Sequence, residues 1–524
     1  MKQLGICLTI RLYSHFVGSG DAAGRERIMF QTVNPESVGV SSGSLHSYLR
    51  FLRRCGVNMH SLLMMRGNKI FAEYYWSPFT RDFHHRMYSQ TKSYVAIAIG
   101  LLEAEGKLRL TDRIVDLLPE KCTGEPAEFL KTQTVEDMLT MRTGVRQSSW
   151  WFSDPDPDKT RVYLRQGSGT YPAGMLFAYV SPGSSVLTEL ADKLAGKPFL
   201  EYLQEKLFSK MGAFQNAQMI QTPNGVSWGA SGLLCTTRDL AAMGRLLLQG
   251  GNWNGQQLIP ERFVRKATSR IADNASAREN NRVFGHGYGY QIWKTEQDGF
   301  AFSGMGGQLT VALPGRDFLF VCTSDNQGFA SASDLMINGL FHLVTDNMRD
   351  TPVPVEPEQV RALEDMVSGL RLRYQENLCP ENVAGAVDGV RYVCRENPMG
   401  ITEFTFHFRE NGGWLHYTNA QGEKVLPFGI GKNEFCKFPQ LGYSDIRAGV
   451  HDPDSDFRYD AAVSAGWVEP GKLTLQVWII DRYIGNMTAE FAFRGDVAAV
   501  RMHKTAEDFL EEYQGTLFAQ AAQK

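Results

Sequence analysis

No apolar run in the 524 residues approaches the ~20 residues that cross a bilayer, so no membrane-spanning helix is expected. Neither sign of charge is in excess. The 54 Lys and Arg against 57 Asp and Glu leave a formal net charge of −3, which implies no basic face for nucleic acid or an acidic membrane. The eight cysteines (Cys7, Cys55, Cys122, Cys235, Cys322, Cys379, Cys394, Cys436) contain no C-x-x-C pair, so neither a redox motif nor a zinc ribbon is suggested. Cys235 and Cys322 sit among apolar neighbours and read as small core residues, and reduced thiols are expected throughout. Internal repeats and low-complexity tracts are also lacking. The N-terminus imitates a secretory leader only weakly: Lys2, then Leu4 to Ile10, then Arg11, with no small-residue cleavage site. A cytoplasmic protein is expected, with residues 1–32 as an N-terminal extension and Met29 as an alternative start.

What is present fits a soluble globular chain: 43% apolar and 21% charged residues, over a length that favours two or three domains. Ser61 to Trp76 reads as a hairpin turning at Gly67-Asn68. A helix rich in Ala, Ile and Leu follows from Ser89 to Glu105, with Gly106 to cap it. Thr134 opens another through Met141, with Asp137 as its capping-box partner. Further helices are expected from Pro182 to Gly196, from Pro198 to Phe208, and from Thr237 and Asp239 to Gly250-Gly251. Short strands at Tyr288–Trp293, Phe300–Phe302, Gln308–Leu313 and Phe318–Cys322 precede a hydrophobic helix, Ser333 to Met348. The fold class is therefore α+β for residues 33–350, an antiparallel sheet flanked by helices. Thr351 to Glu358 (TPVPVEPE) reads as a stiff linker, and 351–384 as linker and short helix. Beyond it, 385–524 is β-rich: Arg391–Cys394, Glu403–Phe408, Trp414–Tyr417, Lys472–Ile479 and Met487–Phe493 suggest a smaller sandwich or barrel.

Chemistry concentrates at Ser89-Gln90-Thr91-Lys92, an S-x-x-K motif at a helix start. Residues i and i+3 share one helical face, so the lysine can reach the serine hydroxyl. Partial burial lowers an amine's pKa until it can act as a base, and the helix N-terminus favours a developing oxyanion. By itself the tetrapeptide arises by chance about once or twice in this length.

Its setting narrows that. The order of hairpin, polar loop, S-x-x-K helix, then Leu108-Asp112-Arg113-Leu117-Pro119 resembles the serine β-lactamase-like and penicillin-binding protein superfamily: class C β-lactamases, DD-peptidases, related esterases and 6-aminohexanoate-dimer hydrolases. Thr134 to Val145 (TVEDMLTMRTGV) and Trp228 to Gly250 (WGASGLLCTTRDLAAMGRLLLQG) resemble two further blocks of that family, and the resemblance extends over 33–350. It implies Ser89 as nucleophile, Lys92 as the group that accepts its proton, and Tyr179 of Tyr179-Val180-Ser181 as a proton relay, with the base left open between Lys92 and Tyr179. Read without the resemblance, Tyr179 is a core tyrosine ahead of a Pro-Gly turn. The family's Lys or His, then a small residue, then Gly, aligns with Phe302-Ser303-Gly304, so the cation is missing. Ser181 and Ser303 are implied as substrate-binding, and Gly304 and Met305 as the oxyanion strand, with the N–H groups of Ser89 and Met305 facing the oxyanion. The absent cation favours an ester or neutral amide over a cephalosporin. Some relatives carry lipocalin-like C-terminal domains, which the β-rich 385–524 resembles in a general way.

Other signals are weaker. Gly225-Val226-Ser227-Trp228-Gly229 matches a G-x-S-x-G elbow but lacks the strand before and helix after it. Asp154, Asp156 and Asp158, like Asp452, Asp454 and Asp456, imitate a calcium loop without its Gly and Glu, so solvated turns are the better reading. His84-His85 reads as a polar loop without a second metal-ligand motif, and Gly304 to Gly307 lacks the helix of a dinucleotide site. Trp150-Trp151-Phe152 reads equally as pocket wall or loop packing. No metal and no cofactor is expected. The expected partner is a small-molecule ester, amide or peptide-like substrate, with a homo-oligomer left open. The rival reading is a catalytically silent relative that binds a ligand or partner in the same cleft.

Overall fold

Strand-forming segments near both ends of the first 350 residues meet in one sheet. In a computed structural model, the residues described are 30–145, 153–165, 171–222, 224–275, 285–442, 456–507 and 509–523. Residues 1–29 with Cys7, the aromatic run Trp150–Phe152, and Asp452 and Asp454 lie outside them. The seven-stranded sheet runs Gln31–Thr32, Lys69–Tyr75, Met59–Arg66, Phe318–Ser324, Gln308–Leu313, Phe300–Gly304, Trp293–Lys294 in spatial order. All pairs are antiparallel except the first. Alternation along the strands sorts side chains between two cores. Leu63, Met65, Phe302 and Val321 face the helices Thr91–Ala104, Pro182–Ala195 and Thr237–Leu248. Leu62, Met64, Val311 and Phe320 face Ser42–Arg54 and Ala332–Leu343.

The local signals act mostly as expected. Gly67 turns the hairpin at φ 57°, and Thr134 caps Val135–Leu139 in a reciprocal box with Asp137. The helix Thr237–Leu248 is capped by Thr236 rather than Thr237, because it is the Thr236 hydroxyl that accepts from the Asp239 N–H. Tyr288–Trp293 forms only isolated bridges, with a regular pair at Trp293–Lys294. After the Pro-rich stretch, Pro357–Ser368 forms a helix whose Leu363 joins the core under Ser42–Arg54. His85, expected on a polar loop, is buried in the short strand His85–Arg86, its Nε2 2.9 Å from His60 Nδ1. Asp154, Asp156 and Asp158 spend their carboxylates on Arg161, Arg165 and Lys121 rather than around a cation.

The C-terminal residues form a closed nine-strand barrel over about 391–522. Neighbouring strands pair antiparallel in an up-and-down path, and a parallel contact of Gly429–Ile430 with Ser464–Ala465 closes the ring. Closure removes the sheet edges, and Phe404, Phe406, Phe491 and Trp467 fill the interior. Among the described residues no helix is long and apolar enough to cross a membrane.

Candidate active site

Ser89 lies on the tight turn Tyr88–Gln90 that feeds the helix Thr91–Ala104. Tyr88 takes a left-handed φ of 48°, a conformation that costs a non-glycine residue ~1–3 kcal/mol and persists only when its surroundings enforce it. One helical turn on, Lys92 Nζ lies 3.0 Å from Ser89 Oγ and donates to the Ala230 carbonyl at 2.6 Å. The lysine is buried, and burial pushes its amine down to about 7; the Glu507 charge opposes the shift and the Arg86 charge adds to it. A neutral amine can therefore receive the serine proton along the 3.0 Å line.

Tyr179 arrives from the segment before Pro182–Ala195, with its phenol beside the Ser89 side chain. The residue is 37% exposed and lines the same cleft as Ser89. Its ring packs on Trp293, centroids 5.2 Å apart, and lies 5.5 Å from Lys92 Nζ. Burial raises the phenol to about 12, with the Ser89 hydrogen bond pulling the other way.

A cavity of about 490 Å³ opens over this group, lined by Ser89, Tyr179, Ser303, Gly304 and Met305 among others. Of the residues singled out from sequence, Lys92 and Ser181 are not part of this lining: Lys92 is buried, and Ser181 sits at the start of Pro182–Ala195. Phe302 is fully buried in the helix-side core against Tyr94, centroids 6.0 Å apart, and also stays out of the cleft. Gly304 has a steric reason. A Cβ there would stand 2.1 Å from the Met87 carbonyl oxygen, so only glycine lets the strand Phe300–Gly304 close on the chain entering Ser89. Sequence reasoning missed Trp293, Asn326, Gln327 and Phe329 as lining residues. The Asn326-Gln327-Gly328 turn directly after the apolar strand Phe318–Ser324 is a signal that points to a loop at a strand end.

Among the described lining residues no side chain is Asp, Glu, Lys, Arg or His. Ser227 of the G-x-S-x-G match is buried and absent from the lining. Its neighbours hold the site instead: Ala230 accepts from Lys92, and Ser231 accepts from Arg86 through both its carbonyl and its hydroxyl.

The family model described as Beta-lactamase matches residues 54–337. A protein of Paenarthrobacter ureafaciens named 6-aminohexanoate-dimer hydrolase is 27% identical over 280 residues, 50% of this chain and 71% of that protein. Penicillin-binding protein 4 of Amycolatopsis lactamdurans is 23% identical over 200 residues, 37% of this chain and 52% of that protein. Among solved structures, the octameric penicillin-binding protein homologue from Pyrococcus abyssi aligns with a TM-score of 0.43 at 15% identity, over 90% of this chain and 97% of that one.

Proposed function

Because this chain belongs to the Beta-lactamase family and is a β-lactamase-related serine hydrolase, we propose that it cleaves a neutral ester or amide, a β-lactam included, through an acyl-enzyme on Ser89. The observation that carries this reading is the contact of a buried Lys92 Nζ with Ser89 Oγ at 3.0 Å, with the Tyr179 ring 5.5 Å from the same amine and lining the same cleft as Ser89. In the proposed path Ser89 Oγ bonds to the substrate carbonyl carbon while its proton passes to Lys92. The N–H groups of Ser89 and Met305 are the proposed oxyanion donors; both residues line the same cleft. Collapse of the tetrahedral species breaks the bond to the leaving alcohol or amine, which takes a proton relayed through Tyr179. A water then adds to the acyl carbon, gives up its proton to the same relay, and frees the acid and Ser89.

The described lining residues carry no charged side chain, which supports a substrate without a carboxylate at the reacting end, since a buried anion with no counter-charge is costly. The relative named 6-aminohexanoate-dimer hydrolase adds support for a small hydrolysable substrate.

Intact mass after incubation with a fluorophosphonate tests the reading, wild type against Ser89→Ala. One adduct on the wild type and none on the variant is expected. Equal labelling of both transfers the role to another serine, Ser227 first. A wild type that takes no adduct favours the rival, a binding protein that uses the same cleft. A substrate panel follows, with neutral esters and amides expected to exceed carboxylate-bearing β-lactams in kcat/KM.

A further inference from the structure

The barrel meets the rest of the chain at the turn that carries Ser89. The Ile484 carbonyl, where the barrel strand Ile484–Arg494 begins, accepts two hydrogen bonds of 2.7 Å each. One comes from the hydroxyl of Tyr88, the residue before Ser89; the other from the side chain of Gln327, which lines the cleft. A single barrel atom thus ties the nucleophile turn to the opposite cleft wall. Beside it, Asn486 donates to Asp325 at 3.2 Å, and Thr505 sits against Gly328. Arg86, wholly buried, reaches Glu507 of the barrel at 2.7 Å. Its guanidinium lies over the rings of Tyr88, Trp228 and Tyr483 at 4.2, 4.7 and 5.1 Å.

We propose that the C-terminal barrel is a working part of the active site: its Ile484 carbonyl and Glu507 carboxylate hold Tyr88 and Arg86, which act as positioning residues for Ser89 and Lys92. This rests on the reading of Ser89 as nucleophile and Lys92 as base. Besides its apolar packing, the barrel reaches Tyr88, with its left-handed backbone, and the wall residues Gln327 and Gly328. A hydrogen bond that holds an unfavourable backbone conformation beside the nucleophile fixes its angle of attack, on which rate depends steeply. The ion pair acts through charge. The charged groups facing Lys92 are Arg86 from the strand before the nucleophile and Glu507 from the barrel, and the titratable Tyr179 covers it from the third side. Glu507 favours the protonated amine and Arg86 the neutral one, so the barrel carboxylate offsets the guanidinium.

The test uses the full-length enzyme with Tyr88→Phe, Glu507→Gln and, as a matched surface control, Glu403→Gln, whose carboxylate pairs with Arg391 on an exposed barrel face. Tyr88→Phe keeps the ring and deletes the hydroxyl; kcat is expected to fall roughly tenfold with KM little changed. Glu507→Gln removes the charge that favours protonated Lys92, so the acid limb of kcat/KM is expected to move to lower pH. Glu403→Gln is expected to match the wild type in both. An acid limb that stays in place in Glu507→Gln, or a wild-type kcat in Tyr88→Phe, overturns the proposal. Where a melting curve shows that Tyr88→Phe does not fold, the pH limb of Glu507→Gln alone decides. Turnover that survives Ser89→Ala refutes the nucleophile reading instead, which keeps the two failures apart.

Discussion

The proposed mechanism concentrates the chemistry of the site in one amine, that of Lys92. Taking it out of water disfavours the ammonium, and the resulting value of about 7 sets how activity depends on acidity. The sign follows from the role proposed for it: a protonated Lys92 cannot accept the Ser89 proton, so kcat/KM is expected to rise with pH along an acid limb near 7. Tyr179, pushed up to about 12, keeps its proton through neutral pH, so in the proposed mechanism it acts as a neutral phenol rather than a tyrosinate. Lys92→Ala is expected to lower kcat by roughly 10²–10⁴-fold and to abolish the limb, with the melting temperature little changed. An unchanged rate and profile would remove Lys92 from the mechanism.

At the scale of elements, the site depends on how closely a strand can approach a turn. The strand Phe300–Gly304 pairs with Gln308–Leu313 along its length, which fixes Gly304 opposite Gln308. Its other neighbour is the Met87 carbonyl, and the 2.1 Å that a Cβ would leave there is far inside van der Waals contact. Gly304→Ala must push the strand from the Ser89 turn. The expected cost is ~1–3 kcal/mol, as for other overpacked positions, read as a lower melting temperature, together with a fall in kcat as Ser303 and Met305 move with the strand. A variant with wild-type rate and melting temperature would show that strand and turn do not share this close contact. The Phe302 position belongs to the same element but to its other face. Strand alternation sends Phe302 into the core and leaves Ser303 toward the cleft, so the residue aligned with the family's cation packs on Tyr94.

For the whole molecule, the barrel core is continuous with the first unit. Ile220, Trp228, Ala230 and Leu234 share one buried cluster with barrel residues such as Phe404 and Leu473, and Phe79 and Leu372 share another with Trp478 and Ile480. Shared apolar burial couples the stability of the two parts. Calorimetry is therefore expected to give one cooperative unfolding transition, and Trp228→Ala to shift it down at a cost of ~3–5 kcal/mol. Two resolved transitions, of which only one moved, would show that the parts unfold independently.

What the sequence alone determined was local. The S-x-x-K spacing puts Lys92 over Ser89 because a helix repeats every 3.6 residues. The Thr134–Asp137 box, the Gly67 turn and the strands from Phe300 to Cys322 were likewise legible, since each is set by neighbours a few residues apart. The barrel strands Gly422–Ile430, Asp460–Glu469, Val497–Thr505 and Gly515–Ala521 were not, because residue type and burial part company in them, with Lys424 and Ser464 buried and Val425 exposed, and only closure assigns an inside. Only the tertiary structure decided barrel over sandwich, through the pairing of Gly429–Ile430 with Ser464–Ala465. It also decided what surrounds Ser89: the Tyr88–Ile484 bond spans 396 positions and the Arg86–Glu507 pair 421, separations at which no periodicity or motif spacing carries information. Such contacts exist because two cores close on one another, and the burial that joins them is a property of the folded surface rather than of any stretch of chain.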